Sequence, residues 1–179
     1  MTQLGDIVYV VCADSSIIKT FTDTLSPLAD IHVKGMKSPT DIVVCRDDRQ
    51  LYVADNNYCI WRVSVDNKSS YEKWLTTKSS TGRFDVYTLS LTSRGLLVTS
   101  LDPPHLREYS TSDKRLLRVV KMPGYVTEPY HGVETTRGTF VIGHKGTSQN
   151  YWQYAVSELF RFRQFVERHE LLCIITNLL

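Results

Sequence analysis

The sequence predicts an all-β fold built from a repeating four-stranded antiparallel unit, and three observations predict it. First, residues 38–64, SPTDIVVCRDDRQLYVADNNYCIWRVS, hold three short apolar runs (41–45, 51–54 and 59–63) separated by the polar clusters 46–50 and 55–57. Runs rich in Val, Ile, Tyr and Trp, broken by Asp/Asn clusters, read as the strands of a meander. Second, the run 51–55 recurs at 10–14, 96–100 and 139–143, so its last residue steps by 41, 45 and 43 positions. Third, single residues keep the same step: Arg49, Arg94 and Arg137 in the turn before the second strand, and Lys19, Arg62 and Arg107 in the third strand. A period of about forty-odd residues is that of a propeller blade, a unit that buries its faces only against its neighbours. The predicted architecture is therefore an incomplete β-propeller of about three to four blades.

The stretch SPTDIVV followed by RQLYVADNNYCIWRVS resembles the NHL repeat, whose pattern is a Pro, an apolar strand, a Gly-containing turn and then LYVAD with a later Asn and Ile. The resemblance covers roughly residues 7–143, is clearest at 38–64, and weakens in the third unit, where Thr99-Ser100 stand for Ala54-Asp55. It implies a β-propeller, commonly six-bladed, of the kind found in tripartite-motif ubiquitin ligases. The zinc-binding Cys/His ring of those ligases has no counterpart here, so the resemblance implies no ligase activity. Six blades at this period need roughly 260 residues, so the chain reads as a fragment or truncated form of a larger NHL-repeat protein.

The elements follow in order. Residues 7–34 read as strands 7–13, 17–21 and 30–33 of a first blade that lacks its first strand; Pro39 and Pro129, two periods apart, each precede a strand that opens a blade. Residues 41–75 make a complete second blade. The third comprises 85–91, 96–100, 106–110 and 116–120, with Pro103-Pro104 in its second turn, where Pro sets a turn and cannot donate to a ladder. Residues 132–136 and 139–143 open a fourth. Gly95 and Gly138 stand where a hairpin needs φ > 0. The second strand of each blade should be its most buried element. Trp61 and Trp74 should seal the gap between blades two and three, while Val8, Val10, Phe140 and Ile142 should lie on the open outer faces of the first and last blades.

The repeat ends near Gly143, which divides the chain into a propeller fragment, 1–149, and an aromatic tail, 150–179. From 150 to 169 no turn residue interrupts the sequence, and Tyr151, Ala155, Leu159, Phe162 and Val166 recur at helical spacing, which predicts a helix. The competing reading makes 156–159 the third strand of blade four. Exposed apolar end faces drive association, so the open ends are expected to be covered by this tail or to self-associate.

Of 179 residues 42% are hydrophobic, enough for a substantial core, and 21 basic against 19 acidic residues give a net charge of +2, which calls for no nucleic acid. Cys12, Cys45, Cys59 and Cys173 show no metal or CxxC spacing, and strand cysteines behave as small hydrophobes. Residues 1–6 carry no basic region and 7–13 are too short for a signal core or a membrane span, so a cytoplasmic protein without membrane contact is expected.

Motifs for hydrolase, metalloprotease, nucleotide or dinucleotide chemistry are absent, and no nucleophile, base and orienter occur as a recognisable set. The expectation is a non-enzymatic module with neither cofactor nor metal; His131 and His144 are the histidines that could approach each other in blade four. Loops held by a rigid scaffold are where binding residues sit. Arg49, Arg94 and Arg137 would line one face, and Asn56, Asn57, Asp102 and Tyr130 would sit in turns on the opposite one. A protein partner is the primary expectation. Since the resemblance includes propellers that bind RNA through a basic face, RNA at the three arginines is the alternative, although no aromatic interleaves with them as a stacking platform would require. A metal-dependent propeller lyase or lactonase is the less favoured third.

Overall fold

Where polar clusters interrupt the apolar runs the chain turns, and each apolar run becomes a strand. The computed structural model describes residues 1–79, 82–122, 126, 128–145, 152–156, 166–167, 170–171 and 173–176, and among these there is no helix. The chain divides into two compact units, Met1–Leu89 and Ser90–Leu179.

The first unit opens with β1 (Thr2–Leu4), β2 (Ile7–Val11), β3 (Ile17–Thr22) and β4 (Ile31–His32), in the order β1-β2-β3-β4. The first blade therefore does have a first strand, contrary to the expectation from sequence. Leu4 pairs with Ile7 across a two-residue turn, and Gly5 (φ 56°) supplies the positive φ such hairpins require. Three residues are too few to show an apolar alternation, so the pattern does not announce this strand.

Blade two consists of β5 (Pro39–Cys45), β6 (Gln50–Asp55), β7 (Cys59–Ser64) and β8 (Tyr71–Thr76), as predicted. Alternation along β6 sends Leu51 and Val53 to one face, where they meet Ile42, Val44, Trp61 and Val63 of the same sheet and Tyr9, Ile18, Ile31 and Val33 of blade one. Leu51 through Asp55 are all 0% exposed, so β6 is packed on both faces. Burying each large apolar side chain stabilises by about 1.5–3 kcal/mol. Trp61 belongs to the interface with blade one, not to the far side as expected, because it shares the parity of Cys59 and Val63. Trp74 lies with Tyr52 on the other face, ring centroids 5.1 Å apart edge-on. A short hairpin of β9 (Lys78–Ser79) and β10 (Gly82–Arg83) follows blade two.

The next sheet runs β11 (Thr88–Leu91), β12 (Leu96–Ser100), β13 (His105–Tyr109) and β14 (Leu116–Lys121), with β11 straddling the division between the units. Pro103 and Pro104 fill the β12–β13 turn. Gly95 is needed for a different reason from the one predicted: its φ is not positive, but a Cβ there would stand 2.0 Å from the Tyr109 carbonyl oxygen. Gly138, at φ 74°, is the turn glycine expected.

Blade four holds β15 (Glu128–Glu134), β16 (Thr139–Lys145) and β17 (Trp152–Val156), followed by β18 (Val166–Glu167), β19 (Glu170–Leu171) and β20 (Cys173–Thr176). The order is β15-β16-β17-β19-β18, with β20 pairing β16. β15 begins four residues before the predicted 132: Glu128 opens its ladder by pairing with Lys145, and Pro129 lies inside the strand, whereas Pro39 opens the ladder of blade two. At 152–156 the chain is a strand and not the predicted helix, because β16 offers a ladder edge that this aromatic-rich run can pair; of the alternative third strand, 156–159, only Val156 is among the described residues. Val166 and Glu167, also within the predicted helix, form β18, and its remaining residues, 150–151, 157–165 and 168–169, lie outside the described residues. Phe140 and Ile142 are 0% exposed and pack on Leu97 and Leu106, so they face inward rather than outward. Parity places Val133 and Val141, a cross-strand pair, on the opposite face.

Candidate binding surface

One end of blade two is organised by a buried carboxylate. Asp55 ends β6, and its oxygens accept from the backbone N–H of Lys37 (3.1 Å), Ser38 (3.2 Å) and Asn57 (3.1 Å) and from Trp61 Nε1 (3.0 Å). The Asn56 N–H closes the same end by donating to the Ser38 carbonyl at 3.0 Å. The Asp55 side chain thus binds the loop entering β5 to the turn leaving β6, and leaves Lys37, Asn56 and Asn57 exposed. Tyr58 and Lys78 extend this surface: the Thr77 N–H donates to the Tyr58 carbonyl at 2.8 Å, and Lys78 Nζ lies 5.9 Å from the Tyr58 ring centroid. Asp41 anchors the unit's last segment in the same manner, accepting from the Leu89 N–H at 2.8 Å, while the Thr40 hydroxyl donates to the Tyr87 carbonyl.

The three arginines occupy equivalent turns, between the first and second strands of their sheets, but their charges are not equivalent. Arg49 makes a bidentate pair with Asp66, with contacts of 2.7–3.0 Å, which raises the arginine's pKa and lowers that of the carboxylate. Arg94 Nη2 donates to Glu108 at 2.9 Å. Arg137 is exposed and has no ion pair among the described residues; its N–H donates to Thr135 Oγ1.

Glu108 is the centre of a network that sequence reasoning misses. Its carboxylate is 0% exposed and also accepts from Thr92 Oγ1 and, at 2.5 Å, from Arg118 Nε. Arg118 reaches on to Glu134 at 3.1 Å and lies over the Phe140 ring, 4.4 Å from its centroid, and Glu134 accepts the Ser93 N–H. Burial alone would push the Glu108 pKa up, but the donors from Thr92, Arg94 and Arg118 together hold it below the usual carboxylate range. Glu108 stands between Arg107 and Tyr109 in β13, so the apolar pattern of the sequence does not single it out.

Tyr130 lies within β15 rather than in a turn: it is the bulged residue between Pro129 and His131, as Thr40 is between Pro39 and Asp41, and its hydroxyl donates to Glu128 at 3.0 Å. Asp102 sits in the β12–β13 turn as predicted. His131 pairs with Gly143, so His144 points to the other face; His131 is exposed and His144 buried. Among the described residues no group of three His, Cys, Asp or Glu could hold a metal ion. Burial first, then the Asp55 charge, pushes the Cys59 thiol up to about 11, and burial raises that of Cys45, so neither is poised as a nucleophile. No described helix is long and apolar enough to cross a membrane.

The arrangement of these sheets recurs in solved structures. The chain is similar to the WD40 β-propeller domain of Doa1, at a TM-score of 0.57 and 14% identity over 74% of this chain and 42% of that one. The fold is of the β-propeller type. A hydrazine synthase of Kuenenia stuttgartiensis is similar too, with a TM-score of 0.64 and 13% identity over 84% of this chain and 43% of that one. This chain spans less than half the length of either neighbour, and at such identities the likeness concerns the propeller fold alone. No family model matches the chain, and no curated protein does.

Proposed function

We propose that this chain is a non-enzymatic propeller module of NHL type that binds another protein through the loop end of blade two. The observation that carries the reading is the Asp55 clamp: one buried carboxylate orders two separate loops, so that Lys37, Asn56 and Asn57 are presented from a rigid base. Loops ordered before binding lose less conformational entropy when a partner docks. The WD40 likeness supports an interaction role by analogy of fold only.

Lysines make the test direct. Lys37 and Lys78 lie at the Asp55 end of blade two, whereas Lys68 lies in the β7–β8 turn at the other end. Amine-reactive crosslinking of the full chain to its partners in cell extract, mapped by mass spectrometry, should yield crosslinks through Lys37 and Lys78. Replacing Asn56 and Asn57 with Ala should deplete those crosslinks. A partner joined through Lys68 alone, or one indifferent to both asparagines, would overturn the reading. The RNA alternative is weakened by the pairing of Arg49 with Asp66 and of Arg94 with Glu108, which leaves little free charge to displace counterions.

A further inference from the structure

Strand β14 is terminal in its sheet: it is paired with β13 on one side, and no described residue pairs with its other edge. Natural sheets blunt such edges with short strands, charges or covering segments. Two other terminal strands follow that rule. β4 is two residues long, and β8 exposes Lys73 and Thr76, turns Trp74 inward and ties Glu72 to Arg62 at 2.7 Å. β14 departs from it, since Leu116 is 44% and Val119 46% exposed on a six-residue strand, LLRVVK. A register shift between Glu108 and Tyr109 leaves Leu117 without a cross-strand partner, and this puts Leu116 and Val119 on one face although they are three positions apart.

Charge frames this apolar stripe. Arg115 precedes it with a side chain 72% exposed and a long 3.5 Å contact to Asp113, and Lys121 ends it, exposed. Arg118, in the middle, is turned to Glu108 and Glu134 and offers no charge outward. The edge is thus apolar at its centre and basic at both ends.

We propose that the outer edge of β14 docks an extended segment of a partner protein, apolar in the middle and acidic at both ends, which joins the sheet as an additional strand. The main chain supplies the ladder, Leu116 and Val119 supply the apolar contact, and Arg115 and Lys121 select the acidic flanks. A second copy of this chain is a poorer occupant: antiparallel pairing of two β14 strands sets Arg115 of one against Lys121 of the other, a like-charge arrangement that strand pairs avoid. This surface lies in the Ser90–Leu179 unit and does not rest on the loop-end reading for blade two.

The test uses the full chain and a fluorescein-labelled peptide of alternating valine and threonine with glutamates at each end. Fluorescence polarisation should show saturable binding, and hydrogen exchange should show new protection at residues 116–121. The double change Arg115→Glu, Lys121→Glu should weaken that peptide by about tenfold and favour a lysine-flanked one. Val119→Lys, at an exposed position, should abolish binding while circular dichroism stays that of the unaltered chain. The proposal is overturned by any of four results: no saturable binding, no protection at β14, a charge-reversed chain that keeps its affinity, or a dimer in light scattering that Val119→Lys dissolves.

Discussion

Replacing Asp55 with Ala removes the acceptor shared by the backbone N–H groups of Lys37, Ser38 and Asn57 and by Trp61 Nε1. The four donors do not lose equally. Those on the loop backbone can turn toward water, while the indole is 4% exposed and fixed among the side chains of the blade-one interface. A hydrogen bond to a charged acceptor is worth about 1.5–3 kcal/mol, and a buried donor left unmade costs about 1–3 kcal/mol. With the loop donors discounted for solvation, Asp55→Ala should cost about 3–5 kcal/mol, at the severe end of single substitutions.

A double-mutant cycle with Trp61→Phe isolates the indole bond. In the unaltered chain Trp61→Phe loses a charged hydrogen bond. In the Asp55→Ala background it removes a donor that is already orphaned, and so should cost less. The expected coupling is about 2 kcal/mol, well beyond the ~0.5 kcal/mol scatter of independent sites. Urea unfolding followed by far-ultraviolet circular dichroism gives the energies. Amide exchange at Lys37, Ser38 and Asn57 localises them, and should quicken in Asp55→Ala and hardly change in Trp61→Phe. Additive energies, or unchanged exchange at the loop amides, would show that Asp55 is not the clamp and would remove the basis for a pre-ordered binding surface.

Other perturbations have distinct signatures. Gly95→Ala should cost about 2–4 kcal/mol in denaturant unfolding, since its Cβ would stand 2.0 Å from a main-chain oxygen, whereas Gly138→Ala, with nothing within 4 Å, should cost only the ~1 kcal/mol of a left-handed φ. Trp74→Ala should cost about 3–5 kcal/mol, because the ring is 2% exposed against Tyr52; a loss under ~1 kcal/mol would make it a surface residue. Because Glu108 has a lowered folded pKa, its contribution is complete above the ordinary glutamate value of about 4.3 and is lost as pH falls through the folded value. Acid titration of Glu108→Gln should therefore show a shallower fall in stability below about pH 4 than the unaltered chain.

Much of the fold is legible because blade period and strand parity are written in apolar residues. Blade two needs little more than the alternation around Leu51–Asp55, and both faces of that strand are closed. The departures in side-chain placement share a cause: a period says which strand a residue occupies, while parity and bulges decide which face it takes. The period alone puts Trp61 in the wrong gap, and Phe140 and Ile142 on the wrong side of blade four, each by a choice of face. Tyr130 reads as a turn residue because the bulge shared with Thr40 lengthens β15 at its start without adding an apolar residue. Asp55 is visible as part of a motif, but its clamp is not, since Lys37 and Ser38 are joined to it by folding alone.

The arginine series shows the same limit where it bears on function. Arg49, Arg94 and Arg137 recur because each blade turns at the same place, and repetition along the sequence resembles a stripe of charge. Antiparallel connections also return the next acid to the same end: Asp66, in the β7–β8 turn, meets Arg49 with paired hydrogen bonds. In the next sheet the partner shifts into the third strand, where Glu108 takes Arg94 and Arg118 together. What repeats is the geometry of the turn, and the local acid decides whether its charge reaches solvent. Two of the three arginines are consumed in this way, so a phosphate backbone would have to compete with carboxylates already in place, one of them fully buried. The asparagine turn differs in kind. There the carboxylate is spent on main-chain amides beneath the surface, and the exposed side chains of Asn56 and Asn57 remain available to a partner.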